Sequence, residues 1–189
     1  MITGRRVVLR EFRQEDLEAI QSWINNPHIR KFLGFSVFPQ TLEESQDFLA
    51  RQLRRQSDRE ISFAICLRED PEQRYIGGVG LHGIDYLHRR AEVGIALARE
   101  ELFGKGLGAE AIELCCAFGF LRLGLHKISL RYFAYNKRGE ACYRKIGFKE
   151  AGRLREHHFF NGEFHDEVLM DLLDREFLVR YPEAKRLFE

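Results

Sequence analysis

The stretch from Leu107 to Leu123 carries charge only at Glu110, Glu113 and Arg122. A helix that is apolar on nearly every side cannot keep one face in water, so it must pack closely against a sheet. Gly104-Lys105-Gly106-Leu107-Gly108-Ala109 leads into it, with three glycines in five residues. Glycine admits tight backbone turns, and a helix N-terminus offers unpaired N–H groups at the positive end of its dipole. The segment is therefore suited to holding phosphate, although a glycine-rich turn that merely opens a helix reads the same way. Two nucleotide motifs are excluded. GxxxxGK[ST] fails because Gly106 follows Lys105, and GxGxxG fails because Ala109 stands at its last glycine. The acid a dinucleotide site needs about 20 residues further on is also missing, since that region is Gly124 to Ile128.

The periodicities on either side predict alternating strands and helices. Arg6 to Phe12 reads as a strand, followed by a helix from about Glu15 to Asn25 with Leu17, Ile20 and Ile24 on one face. Thr41-Leu42-Glu43-Glu44 is a capping box that opens a helix to about Arg55, with Phe48, Leu49 and Leu53 inward. Ile61–Leu67, Tyr75–Gly83 and Ala91–Leu97 read as strands. Beyond the apolar helix come a strand over Lys127–Tyr135, a helix over Lys137–Lys145 and a strand over Phe148–Phe160. Asn161-Gly162 signals a two-residue hairpin that returns through Phe164–Leu173. A helical piece from Asp174 ends near Pro182, giving a C-terminal helical extension over 174–189. The expectation is one α/β (α+β) domain over 1–189: a mixed, mostly antiparallel twisted sheet of about seven strands flanked by helices.

With 189 residues, 44% of them hydrophobic, the chain is long enough for one sizeable core. Lys and Arg number 30 against 29 Asp and Glu, a net charge of +1, which argues against a nucleic-acid partner. No apolar run nears the roughly 20 residues that span a bilayer, and Met1 to Arg6 has no signal-peptide core. No membrane partner and a cytoplasmic location are therefore expected. Cys66, Cys115, Cys116 and Cys142 form no CxxC pair, so reduced core cysteines are expected and no metal site.

Chemistry concentrates in two further segments. In Asn136-Lys137-Arg138-Gly139-Glu140-Ala141-Cys142-Tyr143, helical spacing puts Asn136, Gly139 and Tyr143 on one face. A glycine inside a helix costs about 1 kcal/mol relative to alanine, so something is expected to approach closely at Gly139. Tyr143 reads either as a proton donor or as a tyrosine packed at a helix–sheet junction. Cys142 lies about 100° round the helix from it and has no patterned His partner, which argues against a nucleophilic thiol. In Ala91 to Ala98, Val93, Ile95 and Leu97 form one apolar face. Glu92 shares the other with Gly94, Ala96 and Ala98, small residues that leave room for a ligand.

Together the glycine loop, the tyrosine helix and Gly147-Phe148 resemble the acyl-CoA site of the GNAT superfamily of N-acetyltransferases. The opening Val7-Val8-Leu9-Arg10, Trp23 with Asn26-Pro27, His88-Arg89-Arg90-Ala91-Glu92 and Phe160-Asn161-Gly162 narrow the resemblance to one branch. It holds the ribosomal-protein N-terminal acetyltransferases and the bacterial spermidine/spermine acetyltransferases. The resemblance implies acetyl-CoA as cosubstrate, no metal, and direct attack by an amine in a ternary complex. The loop Gly104, Lys105, Gly106, Leu107, Gly108 and Ala109 would then bind pyrophosphate, with Phe103 where the family usually has Gln or Arg. Ile95, Ala96 and Leu97 would pair with pantetheine, which would also pass Asn136 and Gly139. Tyr143 would protonate the departing thiolate, and Glu92 would take the amine's proton unless Arg89 or Arg90 pairs with it. His88 is the weaker base candidate.

The acceptor stays open between a polyamine, a protein or peptide N-terminus, an aminoglycoside and other amines. Glu43, Glu44, Asp47, Asp85 and Asp166 are carboxylates a polyamine could use, or simply a solvated face; His165-Asp166 could touch substrate. Homodimers or larger assemblies are common among such relatives. A non-catalytic acyl-CoA sensor or scaffold is the alternative class.

Overall fold

The computed structural model describes residues 1–34, 38–54 and 57–188. Eight strands form one sheet: β1 Ile2–Thr3, β2 Val7–Arg10, β3 Ile61–Leu67, β4 Tyr75–Asp85, β5 Arg90–Leu97, β6 Lys127–Phe133, β7 Lys149–Phe160 and β8 Glu163–Leu173. Their order is β1-β2-β3-β4-β5-β6-β8-β7. Every neighbouring pair is antiparallel except β5–β6. The strand beyond the expected seven is β1, which at two residues is too short to show a period. The helices are α1 Asp16–Ile24, α2 Pro27–Arg30, α3 Leu42–Arg54, α4 Leu107–Leu121, α5 Lys137–Ile146 and α6 Asp174–Arg180. Short 3₁₀ turns cover Glu100–Leu102 and Pro182–Phe188.

Alternation along the strands produces two cores. Val7, Leu9, Ile65, Val79, Leu81 and Val93 face α4, whose Ala111, Ile112, Cys115 and Cys116 are buried against them. Phe12, Ala64 and Tyr75 face the opposite side, under Ile20, Trp23 and Ile24 of α1 and Leu49 of α3. The apolar helix thus packs on the sheet as its sequence demands. At Gly119 an added Cβ would stand 2.9 Å from Ile128 and 3.0 Å from Leu81, so glycine is what allows that approach. Asn161 and Gly162 both adopt positive φ, 51° and 83°, as a tight hairpin turn requires.

Thr41 and Glu44 form the expected capping box: Thr41 N–H donates to Glu44 at 2.7 Å, and Glu44 N–H donates to Thr41 Oγ1 at 3.1 Å. The expected helix end near Arg55 lies outside the described residues. Leu53 corrects the expectation of an inward face. It is 43% exposed, because Leu49 one turn earlier already reaches the core, and Leu53 only borders a surface groove beside Phe12 and Phe63.

One buried ion pair ties α1 to the sheet. Arg10 at the end of β2 donates to both carboxylate oxygens of Asp16, at 2.9 and 2.7 Å, with the two residues 1% and 2% exposed. Arg13 N–H adds a third bond to Asp16 at 2.8 Å. Removing one partner strands the other charge in the interior. Asp16→Ala is expected to lower stability by about 3–5 kcal/mol in urea unfolding.

Candidate active site

β5 and β6 pair over only three positions, Arg90↔Lys127, Ala91↔Ile128 and Glu92↔Ser129. Beyond Glu92, β5 stays with β4 as far as Leu97, while β6 stays with β8 as far as Phe133. The sheet therefore splits, and the β5 edge from Val93 onward faces the gap without a partner strand. Two cavities of ≈ 330 Å³ and ≈ 260 Å³ fill the split and share Phe32, Leu33, Ile95, Ile112 and Tyr143 as walls.

The start of α4 borders the larger cavity. Gly104 and Gly106 hold φ values of +74° and +78°, a left-handed conformation that L side chains rarely adopt. The first bond into the helix runs from Glu110 N–H to the Gly106 carbonyl at 3.2 Å. The N–H groups of Leu107, Gly108 and Ala109 precede it and have no acceptor among the described residues, as expected for a first helical turn. Gly108 must be small for another reason: an added Cβ would lie 3.4 Å from Leu97 and 3.6 Å from Ile95 on β5. Arg6 clamps this corner from below. Its NH1 donates to the Lys105 carbonyl at 2.8 Å, while its backbone N–H and Nε donate to Glu110 at 2.8 and 3.0 Å. Burial works against the charge of Glu110, yet hydrogen bonds from Arg6 and Val7 outweigh it and leave the carboxyl below its usual range. Lys105 is the one loop residue whose side chain does not border the cavity; it contributes backbone.

Phe103, at the 3₁₀ turn's end, lines the same cavity and carries the Arg138 guanidinium 3.9 Å above its ring. Arg138 also sits 5.3 Å from the Phe32 ring. A cation from α5 thus stands over the aromatic ring at position 103. Sequence reading missed this contact, because the two residues are 35 positions apart.

Asn136 caps α5, its Oδ1 accepting from Gly139 N–H at 2.9 Å. The cap also bears on why position 139 is glycine. An added Cβ there would lie 2.6 Å from Asn136 Nδ2, so the close approach is made by the cap itself. Both residues nonetheless border the larger cavity. Tyr143, two turns into α5, stands where the cavities meet, with Tyr132 at 5.7 Å between ring centroids. Its hydroxyl has no hydrogen-bond partner among the described residues. Burial, reinforced by the neighbouring Cys142 and Tyr132, pushes the phenol up to about 12, so it holds its proton at any physiological pH. Burial likewise pushes the Cys142 thiol up to about 11, the opposite of what a nucleophile needs.

Glu92 lines the smaller cavity. Its partner is neither Arg89, which donates to the Gly124 carbonyl, nor Arg90, which pairs with Asp85. Arg131 of β6 holds it at 3.0 Å. Of the other acidic candidates none borders the split. Glu43 and Asp47 are exposed on α3, Glu44 is spent on the cap, and Asp166 pairs with Arg153 at 3.3 Å. His88 is an exposed turn residue whose N–H donates to Asp85, and His165 packs edge-on to Tyr135 at 4.8 Å. Glu167, 8% exposed, lines the smaller cavity and was missed, since in the polar run Glu163-Phe164-His165-Asp166-Glu167 nothing marks which acid faces inward.

An opening with free amides at one end and an isolated phenol at its middle suits an extended cosubstrate bearing phosphate at one end and an acyl group at the other. That is the layout of an acyltransferase. Residues 6–149 match the acetyltransferase (GNAT) domain family, and the chain belongs to it. The chain is 31% identical to the spermidine N(1)-acetyltransferase of Vibrio cholerae, over 93% of its own length and 97% of that protein. With the spermidine N(1)-acetyltransferase of Escherichia coli K12 it shares 29% identity over 96% and 93%. Bacillus subtilis YdaF, provisionally named a ribosomal N-acetyltransferase, is 28% identical over 92% and 94%. The crystal structure of spermidine N-acetyltransferase from Vibrio cholerae in complex with CoA and spermine superposes with a TM-score of 0.80 at 29% identity, covering 91% of this chain and 98% of that one. The chain is accordingly an N-acetyltransferase with acetyl-CoA as cosubstrate, which leaves the sensor reading without support.

The cap predicts a local stability effect. Asn136→Ala is expected to cost about 1 kcal/mol in urea unfolding, whereas Asn136→Asp, which keeps an acceptor oxygen, retains most of it.

Proposed function

We propose that the chain transfers the acetyl group of acetyl-CoA to a primary amine of a polyamine, by direct attack in a ternary complex. The observation that carries this reading is the phenol of Tyr143, without a hydrogen-bond partner among the described residues and protonated at rest, at the meeting point of two cavities. One cavity offers amide donors and the other carboxylates. The polyamine class is supported by the spermidine acetyltransferases among the relatives and by the carboxylates on the amine side of the split.

Acetyl-CoA supplies an acyl group already activated as a thioester. The N–H groups of Leu107, Gly108 and Ala109, with the left-handed glycine turns at Gly104 and Gly106, bind its pyrophosphate, and Lys105 shapes the loop through its backbone. Phe103 holds Arg138 over the same cavity as a further cation for the phosphates. The unpaired edge at Ile95, Ala96 and Leu97 takes the pantetheine amides as a strand would, and polarises the acyl carbonyl. Asn136 and Gly139 form the facing wall. Glu92 receives a proton from the amine, directly or through water, by way of Oε1, since Arg131 occupies Oε2. A polyamine nitrogen needs such a base, because its pKa lies near that of lysine at about 10.4. Tyr143 gives its proton to the sulfur as the carbon–sulfur bond breaks.

The catalytic unit in this proposal is the whole chain as one domain, α6 included, whose Phe177 is buried 5.3 Å from Phe120 of α4. A cytoplasmic location belongs to the same reading. All four cysteines are free, and three of them are buried, as suits a reducing compartment.

Coenzyme A release from acetyl-CoA with spermidine, spermine and Ala- or Ser-initiated peptides tests the proposal; turnover with peptides alone overturns the polyamine assignment. Tyr143→Phe is expected to lower kcat by about 10²-fold or more while leaving the acetyl-CoA Kd within twofold. Because the folded-state pKa is raised to about 12, the wild-type rate has no alkaline loss from this group between pH 7 and pH 10. Cys142→Ser is expected to keep kcat, which a ping-pong thiol mechanism would not allow.

A further inference from the structure

Three charged side chains from three strands meet on the amine side of the split. Glu92 comes from β5, Arg131 from β6 and Glu167 from β8, and all line the smaller cavity beside Tyr143. Arg131 spends its fork on a single oxygen: Nε and NH2 both reach Glu92 Oε2, at 3.1 and 3.0 Å. Glu167 Oε1 lies 4.0 Å from Arg131, beyond hydrogen-bond reach, and Oε2 lies 3.4 Å from the half-exposed His157. Glu167 is therefore a carboxylate with its side chain about nine-tenths buried, whose charged neighbours among the described residues are a guanidinium at 4.0 Å and a half-exposed imidazole at 3.4 Å. A buried carboxylate left so poorly paired is costly unless a ligand completes it. Phe133, directly opposite Glu167 in the β6–β8 register, closes the same cavity with an apolar wall.

We infer that Glu167 is a specificity residue that receives a second, non-reacting ammonium of the acceptor, and that Arg131 is the counter-ion this acceptor loosens on entry. The inference rests on the polyamine reading above. The reacting nitrogen lies toward Tyr143 and Glu92, while the neighbouring nitrogen, still charged, takes the open Oε1 of Glu167. One guanidinium within 4.0 Å of both carboxylates places the two sites close enough for the nitrogens of one flexible diamine segment. A monoamine can satisfy only one of them. The split thus selects amines with a second cationic centre near the reacting one, and Arg131 sets how strong that selection is by competing for the same carboxylates.

The test compares spermidine with hexylamine, a monoamine of similar reach, by calorimetric titration into the CoA-saturated protein. Wild type, Glu167→Gln and Arg131→Gln are compared, with CoA affinity and thermal melting as controls on the fold. Glu167→Gln is expected to cut the spermidine-to-hexylamine affinity ratio about tenfold, and Arg131→Gln to raise it several-fold. Equal losses for both amines in Glu167→Gln, an unchanged ratio in either variant, or no spermidine binding by wild type would overturn the inference. Turnover of spermidine by wild type is scored separately. Charge-selective binding without turnover leaves the inference standing and defeats the polyamine function. Turnover with an unchanged ratio does the reverse.

Discussion

Everything at the site depends on where β5 and β6 stop pairing. Three paired positions at the base hold the two halves of the sheet together, and each half is then stabilised by its own antiparallel neighbour. The unpaired backbone that results would be costly if dry and buried. It is tolerable here because the gap is open, and a cosubstrate with amides of its own can complete the ladder. Binding and folding thus draw on the same hydrogen-bonding groups.

The start of α4 shows how tightly these demands are coupled. The helix is apolar because it lies across the sheet, and it is glycine-rich at its start because its amides must stay open. Open amides leave the corner short of internal bonds. Arg6 makes up the difference from the opposite side by holding the Lys105 carbonyl and the buried Glu110. The loop is fixed from behind while its front remains free for phosphate.

Periodicity and motif spacing made most of this legible. Apart from the short α2, which was not expected, the elements from β2 to α6 fall close to their expected bounds, and so does the opposition of Val93, Ile95 and Leu97 to Ala96 and Ala98. Errors arose where the cause was a partner distant in sequence. Glu92 was visible as a lone carboxylate on a strand face. Its partner was sought at Arg89 and Arg90, next to it in the chain, when sheet order brings Arg131 alongside.

The sequence by itself determined the alternation of strands and helices, the buried apolar helix, the phosphate-ready loop and the face of α5 that carries Asn136, Gly139 and Tyr143. Those are local properties, set by side-chain period, glycine conformations and capping, and a chain cannot hide them. Only the tertiary structure decided that Tyr143 stands alone between two cavities, that Arg138 lies over Phe103, and that Glu92, Arg131 and Glu167 share one wall. Those depend on strand order and on the width of a split. Both follow from the packing of the two cores on opposite faces of the sheet, which no single segment encodes.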